Sequence, residues 1–336
     1  MRAVRLHQIG GTENLEIDEV PDPEAPHGGV VVRIEAAALN HRDVFIRQGL
    51  YPKIQLPAIL GADGAGVVES VAGGVDRSWV GRKVVIVPFD SWGDDPRIPG
   101  KDFLIRGMPR PGTFAEKIAL PLDRVAPMPE HLSFPEAAAL PLGGLTAYRA
   151  LVTRGEVKKG DHVLVTGIGG GVATLAMLLA QALGAEVSVT SGSEDKLAKA
   201  KSMGAIAAVS YKQKGWEKDL VKQAGRPPEV VIDSAGGPDF NALIAAVAPA
   251  GRIVVYGATR GPAEKLEMPR IFFKQIDIRG STMGSDAEFH DMLDLVARAQ
   301  VKPIVDRVLP LSRYVEADQL MEKAEQMGKI VVDCRK

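Results

Sequence analysis

The residues Thr166-Gly167-Ile168-Gly169-Gly170-Gly171-Val172 follow an apolar run, His162-Val163-Leu164-Val165, and open a helical stretch from Ala173 to Leu183. Glycines at this spacing let the main chain approach a pyrophosphate, and the start of a helix turns unpaired N–H groups and a positive dipole end toward its charge. Gly167, Gly169, Gly170, Gly171 and Val172 are therefore candidate dinucleotide contacts, with a tight turn packed under a sheet as the alternative for the same residues. The third glycine of the G-x-G-x-x-G pattern falls on Val172. That departure leaves open which amide meets which phosphate oxygen.

An NAD site normally ends its second strand on an acid that accepts from the ribose hydroxyls. Here that strand ends Val187-Ser188-Val189-Thr190-Ser191-Gly192-Ser193, with no acid. Ser191, Gly192, Ser193 and the nearby Lys196 offer donors and a positive charge instead, which suits a 2′-phosphate and favours NADP over NAD. Ser193 also fits a helix N-cap with Glu194 and Asp195 in the first turn, and both readings can hold; Glu194 is the acid that would reach a ribose. Far upstream, Tyr51 carries the only phenol near its segment and is a candidate donor to a substrate oxygen, or else a packed aromatic. Asp43 reads as an orienting acid or a surface charge, and His41 as a neighbour of the pyrophosphate, a proton relay or a plain exposed histidine; both are conceivable metal ligands, with hydrogen-bonding partners the favoured alternative.

The elements that must position these groups form two patterns. Residues 1 to about 123 give short strands between Gly and Pro turns, among them Leu15 to Val20, Val30 to Ala36, Gly64 to Val71 and Lys83 to Val87. Pro88 to Gly112 is rich in both breakers and is expected to be an exposed loop. From Asp161 the period changes. Strands near Val163, Val187, Val209, Val230 and Ile253 alternate with helices predicted at 172–183, 193–203, 214–224 and 238–246, the pattern of a parallel sheet covered on both faces. Ile276 to Gly280 would be the sixth strand, completing the order 3-2-1-4-5-6. A helix to Ala299, a strand from Val305 to Leu309, a helix from Ser312 to Met327 and a strand from Lys329 to Asp333 return to the first domain.

The 336 residues are enough for about two domains, each with its own core. With 41 basic against 42 acidic residues there is no electrostatic footprint for nucleic acid. A single cysteine, Cys334, excludes a disulfide framework and a four-cysteine zinc site within the chain. Arg2 and Arg5 interrupt any signal-peptide core, and no window is long and apolar enough for a membrane span, so no membrane partner and a cytoplasmic location are expected.

Three phrases, Leu39-Asn40-His41-Arg42-Asp43-Val44-Phe45-Ile46-Arg47-Gln48-Gly49, Leu60-Gly61-Ala62-Asp63-Gly64-Ala65-Gly66 and Ala138-Ala139-Leu140-Pro141-Leu142-Gly143-Gly144-Leu145-Thr146-Ala147-Tyr148, stand in this order ahead of the glycine turn. Together they resemble the medium-chain dehydrogenase/reductase superfamily, and within it the zinc-free quinone oxidoreductase branch. The resemblance implies an α/β fold: a doubly wound parallel-sheet Rossmann domain over 124–283 and a β-rich, GroES-like catalytic domain over 1–123, completed by 284–336. It also implies no bound metal. Zinc-dependent members carry a cysteine where this chain has Asn40 and Gly-His-Glu where it has Gly61-Ala62-Asp63, and neither Asn40 nor Ala62 can replace those ligands. Without a Lewis acid the acceptor should carry its own activation, as quinones and α,β-unsaturated carbonyls do.

Several residue roles follow from the resemblance. The Asn40 amide would donate to a developing oxyanion or to the nicotinamide ribose, with a helix N-cap for 41–47 as its alternative. Tyr211 would lie against the 2′-phosphate, Thr146 at the nicotinamide end, Tyr256 and Gly257 along the cofactor, and Thr282, in the run that ends the sixth strand, near the nicotinamide amide. The expected activity is NADPH-dependent hydride transfer to a quinone or enone. An alcohol dehydrogenase-like carbonyl reductase and an NADPH-binding protein with little turnover are the alternatives. The apolar edge at Ile271-Phe272-Phe273 points to a homodimer, or to a helix buried within one subunit.

Overall fold

The computed structural model describes residues 1–336, which divide into one compact unit of Met1–Gly143 with Ser285–Lys336 and a second of Gly144–Gly284. Residues 124–143, expected with the nucleotide-binding half, pack in the first unit. The reason is local: Val125–Pro127 pairs antiparallel with Lys83–Ile86 and closes the edge of that sheet.

The main sheet of the first unit runs in the order Val125–Pro127, Lys83–Ile86, Asp63–Val71, Gly29–Ala38, Lys329–Asp333, Val305–Pro310, with Lys117–Pro121 also on Gly29–Ala38. Alternating apolar side chains such as Val30, Val32, Ile34 and Ile86 meet Phe114, Leu120 and Tyr314 in its core. Register positions the chemistry. Asp63 pairs with Ala38 on one side and Val331 with Ala38 on the other, antiparallel, so two residues further on Lys329 comes level with Asn40. The loop expected between Pro88 and Gly112 contains two short paired strands, Phe89–Asp90 and Leu104–Ile105, closed over Trp92 and Phe103. The helix expected from Ser312 to Met327 is a 3₁₀ turn followed by Tyr314–Lys323. It stops early because Ala324 adopts a left-handed conformation, φ 54°.

The second unit is a six-stranded parallel sheet of His162–Val165, Glu186–Ser191, Ala207–Ser210, Val230–Asp233, Arg252–Val255 and Asp277–Gly280, in the expected order 3-2-1-4-5-6. Its inner strands are largely buried on both faces because helices cover both. The predicted helices appear as Gly171–Ala182, Glu194–Ser202, Trp216–Ala224 and Phe240–Ala246. Ile271, Phe272 and Phe273 lie on a short helix, Met268–Lys274; it is not buried, since Phe273 is 80% exposed.

Candidate functional site

In the second unit the glycine turn has the backbone shape its residues require. Gly167 and Gly169 have φ of 64° and 133°, conformations that side chains rarely adopt. Thr190 on the neighbouring strand holds the turn: its Oγ1 accepts from Gly167 N at 3.2 Å and its carbonyl from Ile168 N at 2.7 Å. Gly170 is the N-cap of Gly171–Ala182, so the first amides of that helix, at Gly171 and Val172, have no carbonyl of their own helix to bond. Val172 is half-buried, whereas Ala173 and Ala176 after it are buried.

Around the end of Glu186–Ser191 the structure gathers cations and hydroxyls. A Cβ on Gly169 would lie 2.8 Å from Lys196 Cδ and 3.1 Å from its Nζ, so that side chain lies along the turn. A Cβ on Gly192 would meet the Tyr211 hydroxyl at 2.7 Å and Lys212 Cε at 2.9 Å, and the Arg260 guanidinium stands 5.4 Å from the Tyr211 ring centre. Ser193 caps its helix, accepting from Lys196 N at 3.5 Å, while its own N–H donates to Ser191 Oγ. Glu194 lines a hollow with Leu197, Val209 and Gln223. Lys212 and Arg260 were not legible as site residues in the sequence; the Lys-Gln-Lys run after Tyr211 was the available signal for the first.

The remaining expected contacts of this unit are scattered at strand and helix ends. Thr146 Oγ1 lies 4.0 Å from Met283 Sδ. Tyr256 and Gly257 follow Arg252–Val255; burial raises the Tyr256 phenol, and Gly257 is packed against the Ser234 carbonyl. Thr282 is exposed. Asp233 closes its own turn, accepting from Thr166 Oγ1 at 2.6 Å and Gly236 N at 2.9 Å, and burial raises its carboxyl.

In the first unit Asn40 stands in extended conformation before His41–Arg47, and its side chain is held from two directions. Lys329 Nζ donates to Asn40 Oδ1 at 2.6 Å, and Asn40 Nδ2 donates to Asp63 Oδ2 at 2.9 Å. The same Asp63 oxygen accepts from Lys329 Nζ at 2.8 Å, and Asp63 Oδ1 accepts from Leu142 N at 2.7 Å. Lys329 is 2% exposed and Asp63 fully buried, whereas Asn40 keeps 8% of its surface. Asp43 is not a surface charge. It is fully buried, its Oδ2 accepts from Asn40 N at 2.9 Å, and desolvation raises its carboxyl despite the neighbouring Arg42. Tyr51 packs against the core with the Arg42 guanidinium 5.1 Å from its ring centre, and the His41 ring meets Phe45 edge-on. Burial lowers the His41 pKa, which favours the neutral ring.

The donor set does not fit a catalytic zinc. Such an ion needs three deprotonated donors around one point, and here Ala62 has none, both Asp63 oxygens are taken and an ammonium lies against Asn40. The one cluster with ligand geometry elsewhere, His7, Glu16 and Asp18, is on the outer three-stranded sheet, where Asp18 already pairs with Arg5 at 2.9 Å.

A GroES-like unit together with a doubly wound parallel sheet and a glycine turn is the architecture of an oxidoreductase that uses a nicotinamide dinucleotide. Residues 26–130 match the alcohol dehydrogenase GroES-like domain and residues 171–298 the zinc-binding dehydrogenase domain. The chain belongs to the medium-chain dehydrogenase/reductase superfamily. It is 38% identical to the zinc-type alcohol dehydrogenase-like protein YogA of Leptosphaeria maculans over 95% of this chain and 94% of that one. It is 28% identical to the acryloyl-coenzyme A reductase of Sulfurisphaera tokodaii, covering 96% of this chain and 97% of that one. A crystal structure named as an NAD-dependent alcohol dehydrogenase shares 42% identity and a TM-score of 0.93, with 99% of each chain covered.

Proposed function

We propose that this oxidoreductase uses NADPH, needs no zinc, and reduces α,β-unsaturated carbonyls or quinones. The observation that carries this reading is the Lys329 ammonium, hydrogen-bonded to Asn40 and Asp63 where metal-dependent relatives carry ligands. An amide and an ammonium stabilise a developing oxyanion but polarise a simple ketone less than a metal ion does, so the acceptor should already be electron-poor. The second unit serves as the nucleotide-binding domain and the first as the catalytic domain. NADPH, when bound, would supply a hydride to the β-carbon of an enone or to a quinone, and a proton from water would complete the reduced product.

The chain's own part is to hold and orient. Gly167 to Val172 take the pyrophosphate, and Ser191, Gly192, Ser193, Lys196, Lys212 and Tyr211 the 2′-phosphate. Thr146, Tyr256, Gly257 and Thr282 line the nicotinamide end, and Asn40 donates to the substrate oxygen, held at its own N–H by Asp43. Tyr51 is the second donor to that oxygen if its hydroxyl reaches it. An exposed edge strand, Asp277–Gly280, beside Phe272 and Phe273 supports a homodimer, to be checked by light scattering. We place the protein in the cytoplasm; no helix is long and apolar enough to cross a membrane.

The test combines metal analysis of the purified protein with NADPH oxidation across enones, enoyl thioesters and quinones. We expect turnover that a chelator leaves intact and zinc well below one per chain; stoichiometric zinc with chelator-sensitive activity overturns the reading. The similarity to a protein named NAD-dependent alcohol dehydrogenase favours a second reading, oxidation of alcohols with NAD. Faster alcohol oxidation with NAD than enone reduction with NADPH selects it.

A further inference from the structure

Asn40 can present either end of its amide, and the two ends do opposite things to an oxyanion: Nδ2 stabilises it, Oδ1 repels it. We propose that Lys329, anchored by Asp63, is a positioning residue that locks the Asn40 amide with its N–H group toward substrate and puts a fixed positive charge behind it. This rests on the reading of the first unit as the site of carbonyl reduction.

Complementarity fixes the orientation. Lys329 Nζ can only donate, and it lies 2.6 Å from the atom assigned as Asn40 Oδ1; the Asp63 carboxylate accepts, and its Oδ2 lies 2.9 Å from Nδ2. A flipped amide would set N–H against ammonium and oxygen against carboxylate, losing both bonds and adding two repulsions inside a buried cluster. Asp63 in turn cannot rotate away, because Leu142 N holds its second oxygen at 2.7 Å. Donor counting then shows what remains. Asn40 has two N–H bonds and directs one to Asp63; Lys329 has three and directs one each to Asn40 and Asp63. One amide hydrogen and one ammonium hydrogen are left over, from two nitrogens that contact the same carboxylate oxygen. Of the two residues Asn40 is the more exposed, so it is the one that touches substrate, and Lys329 acts through it.

Strand register brings the three residues together. The ladder that pairs Val331 with Ala38 brings Lys329 level with Asn40, and Asp63 faces Ala38 across the opposite edge of the same strand.

The test compares wild type with Lys329→Gln and Asp63→Asn, each as the NADP-bound holoenzyme. Removing one oxyanion donor typically costs about 100-fold in kcat, and loss of the lock should approach that with KM for NADPH unchanged. Lys329→Arg should restore part of kcat. A ligand pair gives a readout that general loosening would not move: the anion of a nitrophenol should lose at least 10-fold in affinity in Lys329→Gln, while the equally sized neutral nitrotoluene binds as before. If Lys329→Gln does not fold, Lys329→Met, which keeps the length of the stem and has no donor or charge, takes its place in the same comparison. Values of kcat and anion selectivity within threefold of wild type in the folded variant overturn the proposal. If wild type reduces no enone or quinone, the functional reading fails, and the ligand pair still judges the lock by itself.

Discussion

In the second unit the groups we assign to the pyrophosphate are main-chain amides, at a turn where Gly167 and Gly169 have φ of 64° and 133°. In the first they are side chains, from Asn40, Asp63 and Lys329. The main-chain site needs no counter-charge and no titration, because the helix start and the turn supply fixed partial charges. The side-chain site buries an ammonium against a carboxylate, which is tolerable because the two are paired and both oxygens of Asp63 accept hydrogen bonds. On our proposal an anionic group would be held by two routes. One uses fixed main-chain dipoles, and the other depends on the bonds that join Asn40, Asp63 and Lys329.

The comparison breaks most sharply at Asn40. Asn40→Ala should lower kcat by about 100- to 1,000-fold with nucleotide affinity retained, measured by steady-state kinetics and nucleotide titration. The reverse pattern, weak nucleotide and normal kcat, would remove the side-chain site from the chemistry. Gly169→Val should do what Asn40→Ala does not: the strained backbone and the clash with Lys196 should weaken NADPH and NADH alike by about 50-fold, read by fluorescence titration. Lys196→Met separates charge from backbone within the second unit. NADPH should weaken about 10-fold and NADH hardly at all; an equal loss would place Lys196 on the pyrophosphate.

Two smaller effects sharpen the contrast in titration. Burial raises the Asp318 carboxyl to about 6 although Arg47 Nε is 2.8 Å away. The folded chain therefore holds this proton to a higher pH than the unfolded chain, so the group lowers stability as pH rises from 3.8 toward about 6 and adds no further change above that. Asp318→Asn should flatten the stability curve in that window by up to about 3 kcal/mol, measured by thermal melts from pH 4 to 7. Tyr51→Phe tests the packing of that ring against Arg42: if the ring only packs, kcat changes less than about twofold, and a 10-fold loss would make the hydroxyl a donor.

The positions of the six strands of the second unit, the glycine turn, the lack of an acid at the end of the second strand and the lack of a cysteine near Asn40 were legible in the residues themselves, because a left-handed turn demands glycine and a covered strand a largely apolar run, both written in a few adjacent residues. The strand order was an expectation from the alternating pattern, and the pairing in the sheet bears it out. The early end of the last helix at Ala324, the attachment of residues 124–143 to the first unit, and the gathering of Lys212 and Arg260 near Tyr211 were decided by packing. So was the placement of Lys329. At the head of an apolar strand a lysine reads as a solvent-facing end, and nothing nearby in the chain marks it otherwise. Only the antiparallel register between Lys329–Asp333 and Gly29–Ala38, closed across almost the full length of the chain, puts its ammonium beside Asn40 and Asp63. Side-chain constellations are set by which strands become neighbours, and that is a property of the folded sheet.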